Sequence, residues 1–221
     1  MTNNDKGFTL VELLVAMAIS LIVMASIGYL YYYQQKSYVV QEQISAMQQN
    51  LRAAMYYMEK EIRMAGCDPT QADWPRIVTA SKNSINFTLD ITDGSGTGPP
   101  DGNPGDANED ITYSLDTVDD QLERNSQPLA ENIDALNFVY LNSSGADLQD
   151  DGNGNVTIAT NISQIRSVQI TIVARVGRRD PGYTDTNAYF NQQDLVNPIL
   201  AAQNDSFRRK LLTTTIKCRN L

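Results

Sequence analysis

The sequence predicts an α+β fold, a long N-terminal helix packed on an antiparallel β-sheet head. Three observations predict it. Residues 8–33 are almost uniformly apolar, a narrow apolar stripe at helical spacing runs on to residue 65, and after Pro69 short runs rich in Val, Ile, Thr and Tyr replace the helical period. The chain has 221 residues, 42% of them hydrophobic, with 17 basic and 26 acidic side chains, two cysteines and no histidine. Without histidine, serine–histidine and cysteine–histidine catalysis are excluded, as is the commonest zinc ligand. The net charge of −9 argues against a nucleic-acid partner, whose phosphates that surface repels.

The first element runs Phe8 to Tyr33, FTLVELLVAMAISLIVMASIGYLYYY. At about 1.5 Å per residue it makes a helix of roughly 39 Å, long enough to cross a hydrocarbon core. A secretory signal peptide is the first rival, but the apolar run exceeds the usual ~7–15 residues and no small-residue cleavage site follows. Tyr29 and Tyr31 to Tyr33 close the run with rings that favour the lipid–water boundary, so a retained anchor is expected. Lys6, the basic residue before it, orients the N-terminus to the cytoplasm under the positive-inside rule.

Glu12 is the one charge in that run. One reading is local: Thr9-Leu10-Val11-Glu12 has capping-box spacing, with the carboxylate reaching back to free amides of the first turn. The other uses the polar leader Met1-Thr2-Asn3-Asn4-Asp5-Lys6-Gly7. Cleavage after Gly7 would place a new amino terminus on Phe8, a cationic partner for a carboxylate that lipid leaves costly when unpaired.

Gly7-Phe8-Thr9-Leu10-Val11-Glu12-Leu13 resembles the class III signal of type IV pilins and type II secretion pseudopilins. The resemblance implies that a prepilin peptidase cuts between Gly7 and Phe8 and N-methylates Phe8. It implies that Glu12 guides docking of the subunit into a filament. It also implies single-pass anchoring in the inner membrane with a periplasmic head, then incorporation into a pilus at the cell surface.

The helix is expected to continue through residues 34–66 as an amphipathic stalk. Val40, Ile44, Met47, Leu51, Ala54, Met58, Ile62 and Ala65 recur at steps of three and four, and Gly66 with Pro69 supplies the stop. The domains are thus a leader at 1–7, a membrane helix at 8–33, the stalk at 34–66 and a β-rich head at 67–221. Strands are expected at 76–80, 84–90, 110–115, 137–141, 168–176 and 211–218, with short helical turns at 128–133 and 162–166.

Several head stretches resemble the PilW-type minor pilins and the related type II secretion pseudopilin J. They are Asp110-Ile111-Thr112-Tyr113-Ser114-Leu115, Pro128 to Ile133 followed by Phe138 and Tyr140, and Thr213-Thr214-Thr215-Ile216 leading to Arg219-Asn220. That resemblance implies a non-enzymatic subunit of a low-abundance complex that primes pilus assembly or sits at the tip, with other minor pilins and the major pilin as partners. A secretion pseudopilin is the near alternative. A membrane-tethered, calcium-dependent adhesion or binding module is the alternative from another class.

Cys67 and Cys218 would meet an oxidising compartment in a head outside the cytoplasm, where a disulfide across about 150 residues is worth roughly 5 kcal/mol at most. Two buried free thiols are the other reading. The acidic loop Asp147, Asp150, Asp151, Asn153 and Asn155 offers hard oxygen ligands for calcium. Asp147, Gln149, Asp151 and Gly152 match the first half of an EF-hand loop, but Ile158 stands where the closing glutamate belongs. Asp106, Asn108 and Asp110 offer a second, lesser set; solvated turns explain both stretches as well. Arg178-Arg179 and Arg208-Arg209-Lys210 read as solvated strand ends or partner contacts.

Overall fold

Thr9 starts the first helix by closing a capping box. Its hydroxyl accepts from the Glu12 amide at 3.3 Å, while the Glu12 carboxylate accepts from the Thr9 amide at 2.8 Å. From there α1 runs Leu10–Met64 in the computed structural model, which describes residues 7–72 and 74–221. Residues 1–6 of the leader, with Lys6, lie outside the described residues. The helix ends as the sequence predicts. Gly66 takes a φ of +75°, and a Cβ there would lie 2.9 Å from Leu221 and 3.0 Å from Arg76. The C-terminal segment then takes up terminal helix carbonyls: Arg219 donates to the Arg63 carbonyl and Asn220 to that of Met64.

The chain divides into two compact units, one ending at Gln43 and the other spanning Ile44–Leu221. In the second unit the helical stripe is buried: Met47, Leu51, Ala54, Met58, Ile62 and Ala65 are all inside, joined by Met55. They share one core with strand residues that include Phe87, Tyr113, Phe138 and Ile170.

That core lies between α1 and two sheets rather than one. Strands β1 (Ile77–Ala80), β2 (Ser84–Thr88), β3 (Asp110–Asp116), β4 (Gln121–Arg124) and β5 (Gln127–Glu131) form an antiparallel meander in chain order. The second sheet orders β6 (Ile133–Leu141), β7 (Ser167–Arg175) and β8 (Arg209–Lys217), also antiparallel. Asn132, at a φ of +59°, is the single residue between β5 and β6, and so marks the switch of sheets.

The expected helical turn at 128–133 is therefore wrong. Asn125 and Ser126 both take positive φ and make the tight turn of a β4–β5 hairpin, which carries Pro128 along an edge strand. The turn expected at 162–166 lies earlier, as the short helix α2 at Ala159–Ile162.

β7 is buried along its whole interior, on both faces. One face meets the shared core. Across the other lies the 176–208 excursion between β7 and β8: Asn191 donates to Asn137 of β6 at 2.8 Å and Gln169 of β7 donates to Gln192 at 2.8 Å.

Candidate functional site: the N-terminal helix and its flanking chemistry

Gly7 and Phe8 precede the helix in extended, open backbone. Nothing comes within 4 Å of a Cβ built on Gly7, and Phe8 is 91% exposed. A peptidase bond placed here is accessible. Behind it, α1 includes an 18-residue window with mean hydropathy of 2.5, no part of it buried. Its polar side chains are satisfied within the helix: Ser20 bonds back to the Ala16 carbonyl and Ser26 to that of Ile22, each at 2.8 Å. An apolar surface with its hydroxyls already paired suits lipid or a bundle of like helices. Glu12 stands in the first turn, where the helix dipole favours a carboxylate. Its Oε2 also accepts the Thr9 hydroxyl at 2.8 Å. The capping box is thus real: Glu12 caps its own helix four residues beyond Phe8.

Cys67 and Cys218 are free thiols in this structure, so the expected bridge is not formed in it. Cys218 belongs to the core, and burial pushes its thiol up to about 12. Burial raises Cys67 first, and the charges of Asp90 and Asp68 raise it further. Both stay protonated at neutral pH and are poor nucleophiles.

The residues expected to offer calcium ligands stand in local hydrogen bonds in this structure. Among the described residues no group of three or more acidic, cysteine or histidine side chains is placed to hold a metal ion. The reason is that the oxygens are spent on turns. Asp150 accepts from the Thr157 hydroxyl and amide and from the Ile158 amide at 2.7–2.9 Å, with Asn161 at 3.1 Å. The Thr157 hydroxyl leads in holding its carboxyl down to about 2. Asp151 takes the amides of Asn153 and Asn155, and Asp147 that of Gln149. In the second stretch Asp106 accepts from Asn103, Asn108 from Arg124 and Asp110 from Asn86, three separate directions.

One charged cluster escaped the sequence reading. Arg209, with its side chain 3% exposed, reaches Asp134, Asp185 and Asp205, while Arg175 joins Asp134 to Asp120. Arg208 bonds Asp180 and stacks over Tyr183, and Arg175 and Arg179 both lie against the Phe207 ring. So Arg175, Arg208 and Arg209 are ties that pin the 176–208 excursion to β6, β7 and β8, while Arg178, Arg179 and Lys210 are exposed. A basic pair beside aspartates four and about 25 residues away was the available signal. A further tie joins helix to sheet, where Glu61 accepts from Tyr113 and Arg124.

The comparisons with known proteins bear on both ends of the chain. The model of the prokaryotic N-terminal methylation motif matches residues 2–28, and that of type IV pilus-assembly protein W matches residues 112–220. Among solved structures, the type IV-like pilin TTHA1219 from Thermus thermophilus is returned at 12% identity and a TM-score of 0.46, over 78% of this chain and 96% of that chain. Curated protein sequences give no match. The methylation motif that begins the apolar helix and the pilus-assembly protein W segment that spans β4 to β8 and part of β3 together support a PilW-type minor type IV pilin.

Proposed function

We propose that this minor pilin is a structural, non-enzymatic subunit of the complex that primes pilus assembly or caps its tip, with other minor pilins and the major pilin as neighbours. Prepilin peptidase cuts between Gly7 and Phe8 and methylates Phe8. The apolar part of α1 rests in the inner membrane, with its N-terminus cytoplasmic and the head periplasmic, until the subunit leaves the bilayer for a bundle of equivalent helices. There Glu12 neutralises the Phe8 amine of an adjacent subunit.

The observation that carries this reading is Glu12 itself, the lone charge between Phe8 and Tyr33, exposed one turn beyond an accessible Gly7–Phe8 bond. A carboxylate at the bilayer centre costs about 2.5–3.5 kcal/mol, less near a helix end, and a cationic partner recovers much of that. The capping box lowers the cost while the subunit waits. It leaves Oε1 free to accept from the incoming amine, since the bonds to Thr9 all fall on Oε2.

Glu12→Ala is expected to leave processing intact and to abolish or sharply reduce recovery of the subunit in sheared pili, read by immunoblot. Wild-type recovery of this variant would refute the docking role. Replacing Gly7 with valine blocks cleavage, so intact-mass measurement of the envelope protein finds the leader attached and Phe8 unmethylated.

A further inference from the structure

A cavity of about 310 Å³ opens where the β1–β2 turn, the loop after β6 and the 176–208 excursion meet. Its volume falls at the small end of ligand sites, and five of its twelve lining residues carry a carboxamide. Three of those amides are held the same way round. Gln149 donates its NH₂ to Asp147 at 2.8 Å, Asn197 donates to Asp194 at 2.8 Å, and Asn153 donates to the Asp151 carbonyl at 3.4 Å. Each bond fixes the amide's orientation and uses one of its two N–H donors, which leaves one N–H and the carbonyl oxygen of each amide for a ligand. Lys82 adds an ammonium donor to the lining. Below them the buried Asn137–Asn191 pair closes the floor, and Leu136, Pro198 and Ile199 supply aliphatic surface.

This wall selects among ligand classes. One lysine and one aspartate leave the lining neutral, which disfavours phosphates and polycations. No aromatic ring lines the cavity, so a flat aromatic ligand has nothing to stack on. Amides that each offer an oriented acceptor and a remaining N–H suit a ligand rich in hydroxyls, which both donate and accept, and the aliphatic patch suits its C–H face. We infer that this cavity binds a small neutral saccharide, with Gln149, Asn153 and Asn197 accepting from its hydroxyls and Lys82 donating to a ring or hydroxyl oxygen. The loop that resembles half a calcium site thus has a different use: its aspartates orient the amides that face the ligand. The next turn carries Leu195 and Val196 at 74% and 84% exposed, on the surface a glycan-bearing partner would approach.

The test uses the full chain in a detergent without a sugar head group. Lactose, cellobiose and diacetylchitobiose are the probes, read by saturation-transfer NMR and titration calorimetry with and without calcium. At least one is expected to receive saturation transfer, with binding unchanged by chelator. Gln149→Ala and Asn197→Ala lie on different loops, and each should weaken it about fivefold, the worth of one hydrogen bond near 1 kcal/mol. Both variants should melt like the parent and enter pili normally, which separates this site from the assembly role. Absence of transfer to all three probes, wild-type affinity in both variants, or a response to calcium without sugar would overturn the inference.

Discussion

Arg209 is the residue on which the head's charged interior turns. Its guanidinium faces Asp134 and Asp185, whose side chains are 7% and 0% exposed, as well as Asp205. Removing it strands buried carboxylates, so Arg209→Ala is expected to cost about 3–5 kcal/mol at neutral pH. Lysine recovers only part of that, because an ammonium cannot fork between three acceptors. The pH dependence follows from the partners. The Arg209 hydrogen bond holds Asp205 below its ordinary 3.8; burial pushes Asp185 upward, but the Tyr189 hydroxyl, the Asn187 amide and Arg209 together bring it lower still. Carboxyls depressed in the folded state lend stability that is fully present above 3.8 and lost as pH falls through their folded values. The variant's deficit in chemical denaturation should therefore narrow in acid, and a deficit that stays constant would show that lost packing, not charge pairing, is responsible. Little of this was legible in the sequence: Asp205 stands four residues from Arg209, but Asp134 lies 75 residues away and no local spacing announces that pair. The capping box of Thr9 and Glu12 was legible because its chemistry is set by neighbouring residues. The aspartates of the 147–155 loop could be read as calcium ligands or as turn formers, and the bonds they make are turn bonds.

At the scale of elements, periodicity worked where one face of one element is buried. The stripe from Met47 to Ala65 is spaced as an α-helix demands, and six of its predicted positions are inside. The hairpin of β4 and β5 left no such trace. Each strand buries one apolar side chain, Leu122 or Ala130, and a proline interrupts the second, so the pattern imitates a helix start. The split into two sheets was equally hidden, because it depends on one left-handed residue, Asn132. The stripe also makes a quantitative prediction. Met58 is fully buried among both sheets, and Met58→Ala should cost about 2–5 kcal/mol of head stability. Tyr57, one residue away and 50% exposed, should cost within about 0.5 kcal/mol when changed to alanine. Equal losses at the two positions would mean that the stripe is not what anchors α1 to the head.

At the scale of the whole molecule, one chain must satisfy two solvents in succession. Its sequence solves this by segregating apolar surface. Among the described residues every buried apolar side chain lies from Met47 onward, whereas residues 8–33 expose their apolar side chains throughout. The first set gains its stability by leaving water for a protein interior, the second by leaving it for lipid or neighbouring helices. Residues 44–221 therefore carry the whole core, both sheets and the arginine ties, and form a compact unit by contact. A fragment beginning at Ile44 is expected to be soluble without detergent and to melt within a few degrees of the full chain. It should also keep the Arg209→Ala deficit at full size. It should fail to fractionate with membranes and be absent from sheared pili, since the methylation motif and Glu12 are gone. The decisive comparison is between the two readouts: a fragment that aggregates or melts far below the full chain would mean that residues before Ile44 support the head. A folded fragment that still enters pili would move the docking determinant from Glu12 to the head surface.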